Sequence, residues 1–283
     1  MSRRLLLLAI CLGGTASARA DADDLKPQWM IGASGGSTSR EGDRTHAYGS
    51  LAVTRKLGRS YVRISATRFG SAVRQVDVTL PSTYTLGFVS AGTTFGHWFI
   101  DGYGSLGIQH YRAVRTDLGS RPIKGAENSG VVGGGGDLGY VQWLSPVWSL
   151  TPSASIQYIR SKALREQIGP MGPSKYETRE TGGTFGGILR VDRYLGRDRA
   201  DSVGVHVSHY VTTNASAALA SGTRGALSPI IQSGKQADGW TELGGSATVR
   251  ARPNLYLDAS VARTFGSRAG NVTTTGLGAR FLF

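Results

Sequence analysis

Leu255-Tyr256-Leu257-Asp258-Ala259-Ser260-Val261 alternates apolar with polar or small residues. In an extended strand successive side chains point to opposite faces, so Leu257, Ala259 and Val261 share one side and Tyr256, Asp258 and Ser260 the other. The pattern recurs in Val62-Arg63-Ile64-Ser65-Ala66-Thr67 and in Val203-Gly204-Val205-His206-Val207-Ser208. It recurs once more at the end of the sequence, where Leu277, Ala279, Phe281 and Phe283 fall on one face and Gly276, Gly278, Arg280 and Leu282 on the other. A soluble sandwich would bury its apolar rows in a core rich in large aromatics, Leu and Ile. Here the opposing faces are crowded with Gly, Ser and Thr, which suits a wet interior. Apolar outside and polar inside is the pattern of a transmembrane barrel.

Working outward, twelve such segments can be placed, near 28–40, 44–56, 59–69, 82–94, 96–112, 128–144, 147–160, 177–194, 201–213, 239–251, 254–265 and 271–283. Connections after even-numbered segments are tight: Leu57-Gly58, Phe95-Gly96, Ser145-Pro146, Leu195-Gly196-Arg197-Asp198 and Arg252-Pro253. Those after odd-numbered segments are mostly longer, at 70–81, 113–127, 161–176 and 214–238, with short ones at 41–43 and 266–270. Short turns on one rim and long loops on the other distinguish the periplasmic from the extracellular side of a bacterial outer-membrane barrel. Trp29, Trp98, Trp143, Trp148, Tyr194 and Phe283 gather near the short-turn ends, and Tyr48, Phe69, Tyr158, Trp240 and Phe265 near the other. They read as two interfacial belts. The expected fold is all-β: a closed antiparallel up-and-down transmembrane β-barrel of about 12 strands.

Composition agrees with this reading. The 283 residues include 41 Gly and a single Cys, which excludes a disulfide framework and a Cys-based metal site. No stretch approaches the ~20 apolar residues that a helix needs to span a bilayer. Arg3-Arg4, the run Leu5-Leu6-Leu7-Leu8-Ala9-Ile10-Cys11-Leu12 and the small-residue end Ala18-Arg19-Ala20 have the parts of a secretory signal peptide. The alternative of lipid attachment at Cys11 fits less well, because Ile10 is bulky where such a site takes a small residue. The expected organisation is a signal peptide at 1–20, cleaved near Ala20, and one barrel domain at 21–283 in the outer membrane. Cleavage there removes the only Cys.

The tail Gly276-Leu277-Gly278-Ala279-Arg280-Phe281-Leu282-Phe283 resembles the terminal signature of Gram-negative outer-membrane barrels. Asp101-Gly102-Tyr103-Gly104-Ser105-Leu106-Gly107 and Leu150-Thr151-Pro152-Ser153-Ala154-Ser155-Ile156-Gln157-Tyr158 resemble strands of autotransporter-type β-domains, a likeness reaching over roughly 80–283. The resemblance implies a twelve-stranded barrel, with Leu277, Ala279, Phe281 and Phe283 as the signal read by the barrel-assembly machinery. It also implies a passenger and a helix in the pore. Residues 21–27 are all that stand before the first strand of this sequence, so the expectation is an autotransporter-like barrel lacking a passenger.

With the apolar rows facing lipid, the inward ionisable residues are Arg63, Asp101, Asp137, Arg190, Asp192, Glu242, Arg250, Asp258 and Arg280. All but Glu242 fall toward the periplasmic end. Arg–carboxylate pairing is strong when partly desolvated, so a cross-barrel ion-pair network narrowing the inner mouth is expected, or simply a set of pairs that stabilises the wall. The upper lumen is then left to Ser, Thr, Gly and Tyr. In loop 214–238, Ala215-Ser216-Ala217-Ala218-Leu219-Ala220 reads as a short helix-former in a Gly/Ser-rich stretch that either enters the mouth or stays a surface loop.

The long loops carry an excess of Arg and Lys, among them Arg112, Arg115, Arg121, Lys124, Arg160, Lys162, Arg165, Lys175, Arg179, Arg224 and Lys235, within an overall balance of 32 basic to 19 acidic residues. On an outer rim these meet the phosphates of lipopolysaccharide. No nucleic-acid recognition motif is present, and nucleic acid is not an expected partner.

His206 and Ser208, with Glu242 as a third member, resemble the His-x-Ser arrangement of the lipid A deacylase family. There a carboxylate completes a Ser/His pair, but the lipid side of this strand belongs to Val203, Val205 and Val207. His46, His97 and His110 show no metal-ligand spacing. No metal and no cofactor is expected. The function expected is a passive, porin-like channel or an envelope or export component without enzymatic chemistry, with secretion or polymer-export partners. The competing readings are a lipid-modifying hydrolase using His206 and Ser208, and a surface adhesin or assembly partner.

Overall fold

A computed structural model of the chain describes residues 28–41, 44–75, 78–112, 114–116, 119–121, 128–169, 172–196, 198–214, 218–222, 226–230, 237–268 and 270–283. The segment expected to be a signal peptide, with Cys11, lies outside the described residues. Twelve long strands form the wall. They are β1 (Gln28–Arg40), β2 (His46–Leu57), β3 (Ser60–Gln75), β4 (Val78–Phe95), β5 (Trp98–Tyr111) and β6 (Asn128–Tyr140, resuming at Gln142–Ser145). The second half comprises β7 (Trp148–Gly169), β8 (Gly172–Leu195), β9 (Asp201–Thr212), β10 (Asp238–Arg252), β11 (Leu255–Phe265) and β12 (Val272–Leu282). Each strand pairs antiparallel with its sequence neighbours, and β1 pairs with β12 from Met30↔Leu282 to Arg40↔Val272, which closes the barrel.

The alternation predicts which face meets hydrocarbon, and the closed sheet realises it. Leu51, Ile64, Leu106, Val205 and Leu277 are exposed on the outside, while their strand neighbours turn into the lumen. Tight turns join the strands at the periplasmic rim. Gly58 and Gly96 sit there at φ +62° and +59°, a left-handed backbone that a side chain would strain.

At the seam, Trp29 and Phe283 exchange backbone hydrogen bonds of 3.0 Å in both directions. At the opposite rim the backbone N–H of Glu41 donates to the carbonyl of Asn271 at 3.0 Å. The Glu41 carboxylate accepts from the Asn271 amide at 3.1 Å and from Arg263 at 3.0 Å. Those bonds from Asn271, with Arg263 adding to them, hold the Glu41 carboxyl below its ordinary range. A depressed value means that this contribution is present at neutral pH and is lost as pH falls through it.

Three expectations are corrected. The stretches 70–81 and 161–176 are not loops: β3–β4 and β7–β8 continue as paired ribbons to Gln75↔Val78 and Gly169↔Gly172. Above the bilayer the ribbon still pairs its backbone, but lipid no longer demands alternation, so the sequence signal fades before the strand ends. The Ala-rich run in 214–238 is no helix where described: Ala218–Gly222 pairs with Ala226–Ile230 as a small hairpin. Helix nucleation is too costly for so short a run, whereas two short strands satisfy one another. The belts are also only partly as expected. Trp29, Trp98, Trp148, Tyr158, Phe265 and Phe283 face outward, but Trp143, Tyr194, Tyr48, Phe69 and Trp240 turn inward, where strand parity places them.

Leu51 stands midway along the outward row of β2 and Leu57 at its periplasmic end. Leu51→Arg should cost roughly 2–4 kcal/mol and Leu57→Arg about 0–1 kcal/mol. Urea titration of the barrel folded into lipid vesicles reads the difference; equal small losses would mean that this row does not face hydrocarbon.

Candidate functional site

The lumen collects the inward-pointing side chains of all twelve strands, and with them the ionisable residues that the sequence singles out. Asp101, Arg190, Asp192, Glu242, Asp258 and Arg280 are buried, while Arg63, Asp137 and Arg250 are half-buried on the same inner face. On β8, Arg190 clasps Asp192 two residues away, with Nε to Oδ2 at 2.8 Å and a terminal nitrogen to Oδ1 at 2.6 Å. The same guanidinium donates to Ser246 Oγ on β10 at 2.8 Å. On β12, Arg280 takes Asp258 of β11 in a fork at 2.6 and 2.7 Å, and Thr248 donates to that carboxylate at 2.7 Å. The Arg280 guanidinium also lies 5.5 Å from the ring centre of Tyr256. Tyr61 donates to Asp101 at 2.7 Å. Arg250 pairs with Asp198 in the β8–β9 turn.

The Arg190–Asp192, Arg280–Asp258 and Arg250–Asp198 pairs thus run along the wall, within one strand or between adjacent elements. The reason is reach: side chains two apart on one strand, or opposite on neighbouring strands, lie within about 4.5–7 Å of one another. A partner on the far wall lies much farther away.

Two features of the lumen escape the sequence reading. At the periplasmic end Met30, Tyr194, Ala200, Tyr256 and Leu282 form one buried apolar cluster. Trp143 packs against it and against Phe99 and Val141. The Trp143 and Tyr194 rings lie 5.1 Å apart. Farther along, Phe69, Tyr84, Leu86, Val131 and Ile159 form a second buried cluster, with Phe69 and Tyr84 stacked at 4.8 Å. The interior is therefore not only Ser, Thr, Gly and Tyr. Inward aromatics in an alternating strand are the signal that could have found these clusters.

His206 and Ser208 share the inner face of β9, and Ser208 stands opposite Glu242 on β10. His206 Nε2 is 2.9 Å from Glu242 Oε1, and the imidazole lies over Gly244, where a Cβ would come within 2.2 Å of the ring. The third contact of a Ser/His/carboxylate relay is not made: among the described residues Ser208 Oγ and Glu242 Oε2 have no hydrogen-bond partner. All three side chains face away from the acyl chains. Among the described residues no His/Cys/Asp/Glu cluster suited to a metal ion occurs.

Over the extracellular opening, the hairpin Ala218–Gly222/Ala226–Ile230 leans on β1, β3, β8, β11 and β12, strands from opposite sides of the barrel. It occupies the mouth.

A family model for the autotransporter β-domain matches residues 13–262. The chain belongs to this family. The match begins earlier than the sequence likeness at 80–283 and stops before β12, so the terminal signature lies outside it. The autotransporter fold recurs in solved structures. The β-domain of the Bordetella autotransporter BrkA is 12% identical with a TM-score of 0.64, covering 90% of this chain and 98% of that one. The translocator domain of NalP from Neisseria meningitidis is 12% identical with a TM-score of 0.60, covering 99% and 93%. The transport unit of AIDA-I from Escherichia coli is 13% identical with a TM-score of 0.53, covering 93% of each. No curated protein sequence matches the chain. This autotransporter-type chain is an outer-membrane β-barrel.

Breaking the buried Arg280–Asp258 pair from one side leaves an uncompensated charge, so Arg280→Leu or Asp258→Leu alone should destabilise this autotransporter β-domain by roughly 3–5 kcal/mol. The double variant should cost clearly less than the sum. A double-mutant cycle in the same urea assay measures the coupling; strictly additive losses would mean that the two groups do not pair in the lumen wall.

Proposed function

We propose that this outer-membrane barrel is a passive, porin-like conduit without enzymatic chemistry, with its path along the polar lumen and its extracellular mouth governed by the 218–230 hairpin. The observation that carries the reading is the hairpin's seat against strands on opposite sides of the opening. The wall-bound ion pairs support it, because charges satisfied along the wall do not tie the two sides of the lumen together. Under this reading residues 1–20 direct export and are removed near Ala20; N-terminal sequencing of the membrane-isolated protein checks that step.

A second reading, a lipid-modifying hydrolase, rests on the 2.9 Å contact between His206 and Glu242. Against it stand the unpaired Ser208 hydroxyl and the placement of all three groups on the lumen side. A nucleophilic Ser needs its base within hydrogen-bond reach, and a glycolipid in the membrane needs the site on the outer face.

In planar bilayers the full mature chain should open rarely and at low conductance, and deletion of 218–230 should give steady, larger openings. Silence from both forms, together with lipid hydrolysis that Ser208→Ala abolishes, would replace the conduit with the hydrolase.

A further inference from the structure

The lipid-facing apolar rows differ in length around the barrel. On β5 the row runs from Trp98 to Ile108 and on β7 from Trp148 to Tyr158, eleven residues each. At ~3.3 Å per residue and the ordinary strand tilt, such rows are about 25 Å tall, the full height of an outer-membrane band. Beside the β1–β12 seam the rows stop early. On β12 the row runs from Phe283 only to Leu277 before Thr275 and Thr273 are reached, and on β1 from Trp29 to Gly35 before Ser37 and Ser39. On β11 it runs from Leu255 to Val261 before Arg263, and on β3 from Val62 to Ala66 before Arg68. Between β1 and β3, β2 adds only Gly49 and Ala47 above Leu51. Rows of seven residues or fewer stand about 15 Å tall or less.

The groups above the short rows cannot sit in hydrocarbon. Ser37 and Thr275 are opposite in register, and their hydroxyls meet at 3.0 Å on the outer surface, which leaves lone pairs that acyl chains cannot satisfy. Arg263 reaches to Glu41 at the extracellular rim, and Phe265 above it is the last residue of β11. Arg68 is exposed as well. The strands themselves are short here, eleven residues in β11 and in β12 against 22 in β7 and 24 in β8. Tilting does not cure the difference. An apolar band that is tall on one side and low on the other is a wedge, and a tilt levels one of its edges while steepening the other. The bilayer has to give instead.

We propose that the outer face of the seam, from β11 through β12 and β1 to β3, holds a locally thinned bilayer. The partner is a shell of compressed lipid whose headgroups and water come down to the level of Ser37 and Thr275. The wall at β5 and β7 faces a bilayer of ordinary thickness. The pair of strands that closes the barrel therefore borders the thinnest membrane around it. This surface lies outside the lumen, so it stands whether or not the barrel conducts.

Depth-dependent fluorescence quenching of the full chain, folded into dioleoyl-phosphatidylcholine vesicles, tests this. Cys11 is the only Cys, so Cys11→Ser provides a background for single probes. A polarity-sensitive fluorophore is attached at Thr275→Cys, Leu106→Cys or Ile156→Cys, each eight residues from Phe283, Trp98 and Trp148 respectively. A uniform bilayer would bury the three alike. Lipid brominated at mid-chain should instead quench the Thr275 probe several-fold less than the other two, and its emission should lie to the red of theirs. A probe at Phe281→Cys should report the inner interface. The filled variant Ser37→Leu/Ser39→Leu/Thr273→Leu lengthens the apolar row, and in it the Thr275 probe should be quenched as strongly as the Leu106 probe. Should the filled variant fail to fold, the comparison of probes in the parent carries the test alone. Equal quenching of the three probes in the parent would overturn the proposal. So would mid-plane quenching at Phe281, which means that the barrel tilts, or a Thr275 probe that stays wet in the folded filled variant.

Discussion

In hydrocarbon no water is present to satisfy a backbone N–H or C=O, so every strand that crosses must find a partner on both edges. The rest of this structure depends on that requirement, and it is met at one place: the pairing of β1 with β12. Reciprocal backbone bonds between Trp29 and Phe283 fasten the seam at the periplasmic rim. The Glu41–Asn271–Arg263 cluster fastens it at the other. Once the sheet is closed, the two faces of each strand acquire different solvents, and the residue pattern acquires its meaning.

Closure also creates an interior that has to be filled without a conventional core. The lumen solves this in two ways. The Arg190–Asp192 and Arg280–Asp258 pairs are made locally, because strand geometry puts such partners within reach. Its larger apolar residues gather into two clusters, one around Tyr194 and Tyr256, the other around Phe69 and Leu86. The mouth hairpin adds a third element, a piece of loop that finds its contacts on the rim of the barrel.

How far the sequence can be read follows from where the bilayer acts on it. Within the membrane the two-residue period is enforced by lipid, and the spans of β2, β9 and β11 are legible within a residue or two. Beyond it the period is no longer enforced, and the outer reaches of β3–β4 and β7–β8, although paired, carry no such mark. The same holds for 218–230, where helix propensity points one way and pairing against a rim decides the other. Aromatics at strand ends were misread when treated as a class: Trp148 and Trp143 lie close in sequence, yet one faces lipid and the other the lumen. Of the candidate site, the side on which His206, Ser208 and Glu242 lie was legible from parity. That the imidazole bonds the carboxylate and leaves the hydroxyl alone was not.

By itself the sequence determined the class of fold, the number of crossings, the rim that carries short turns, and the face of each strand that meets lipid. All four follow from alternation and turn residues, which are local in the chain. The tertiary structure alone decided which charges meet, which aromatics cluster in the lumen and what lies across the mouth. Those depend on the stagger between neighbouring strands and on barrel closure. Both are properties of two or more segments at once, so no single stretch of residues contains them.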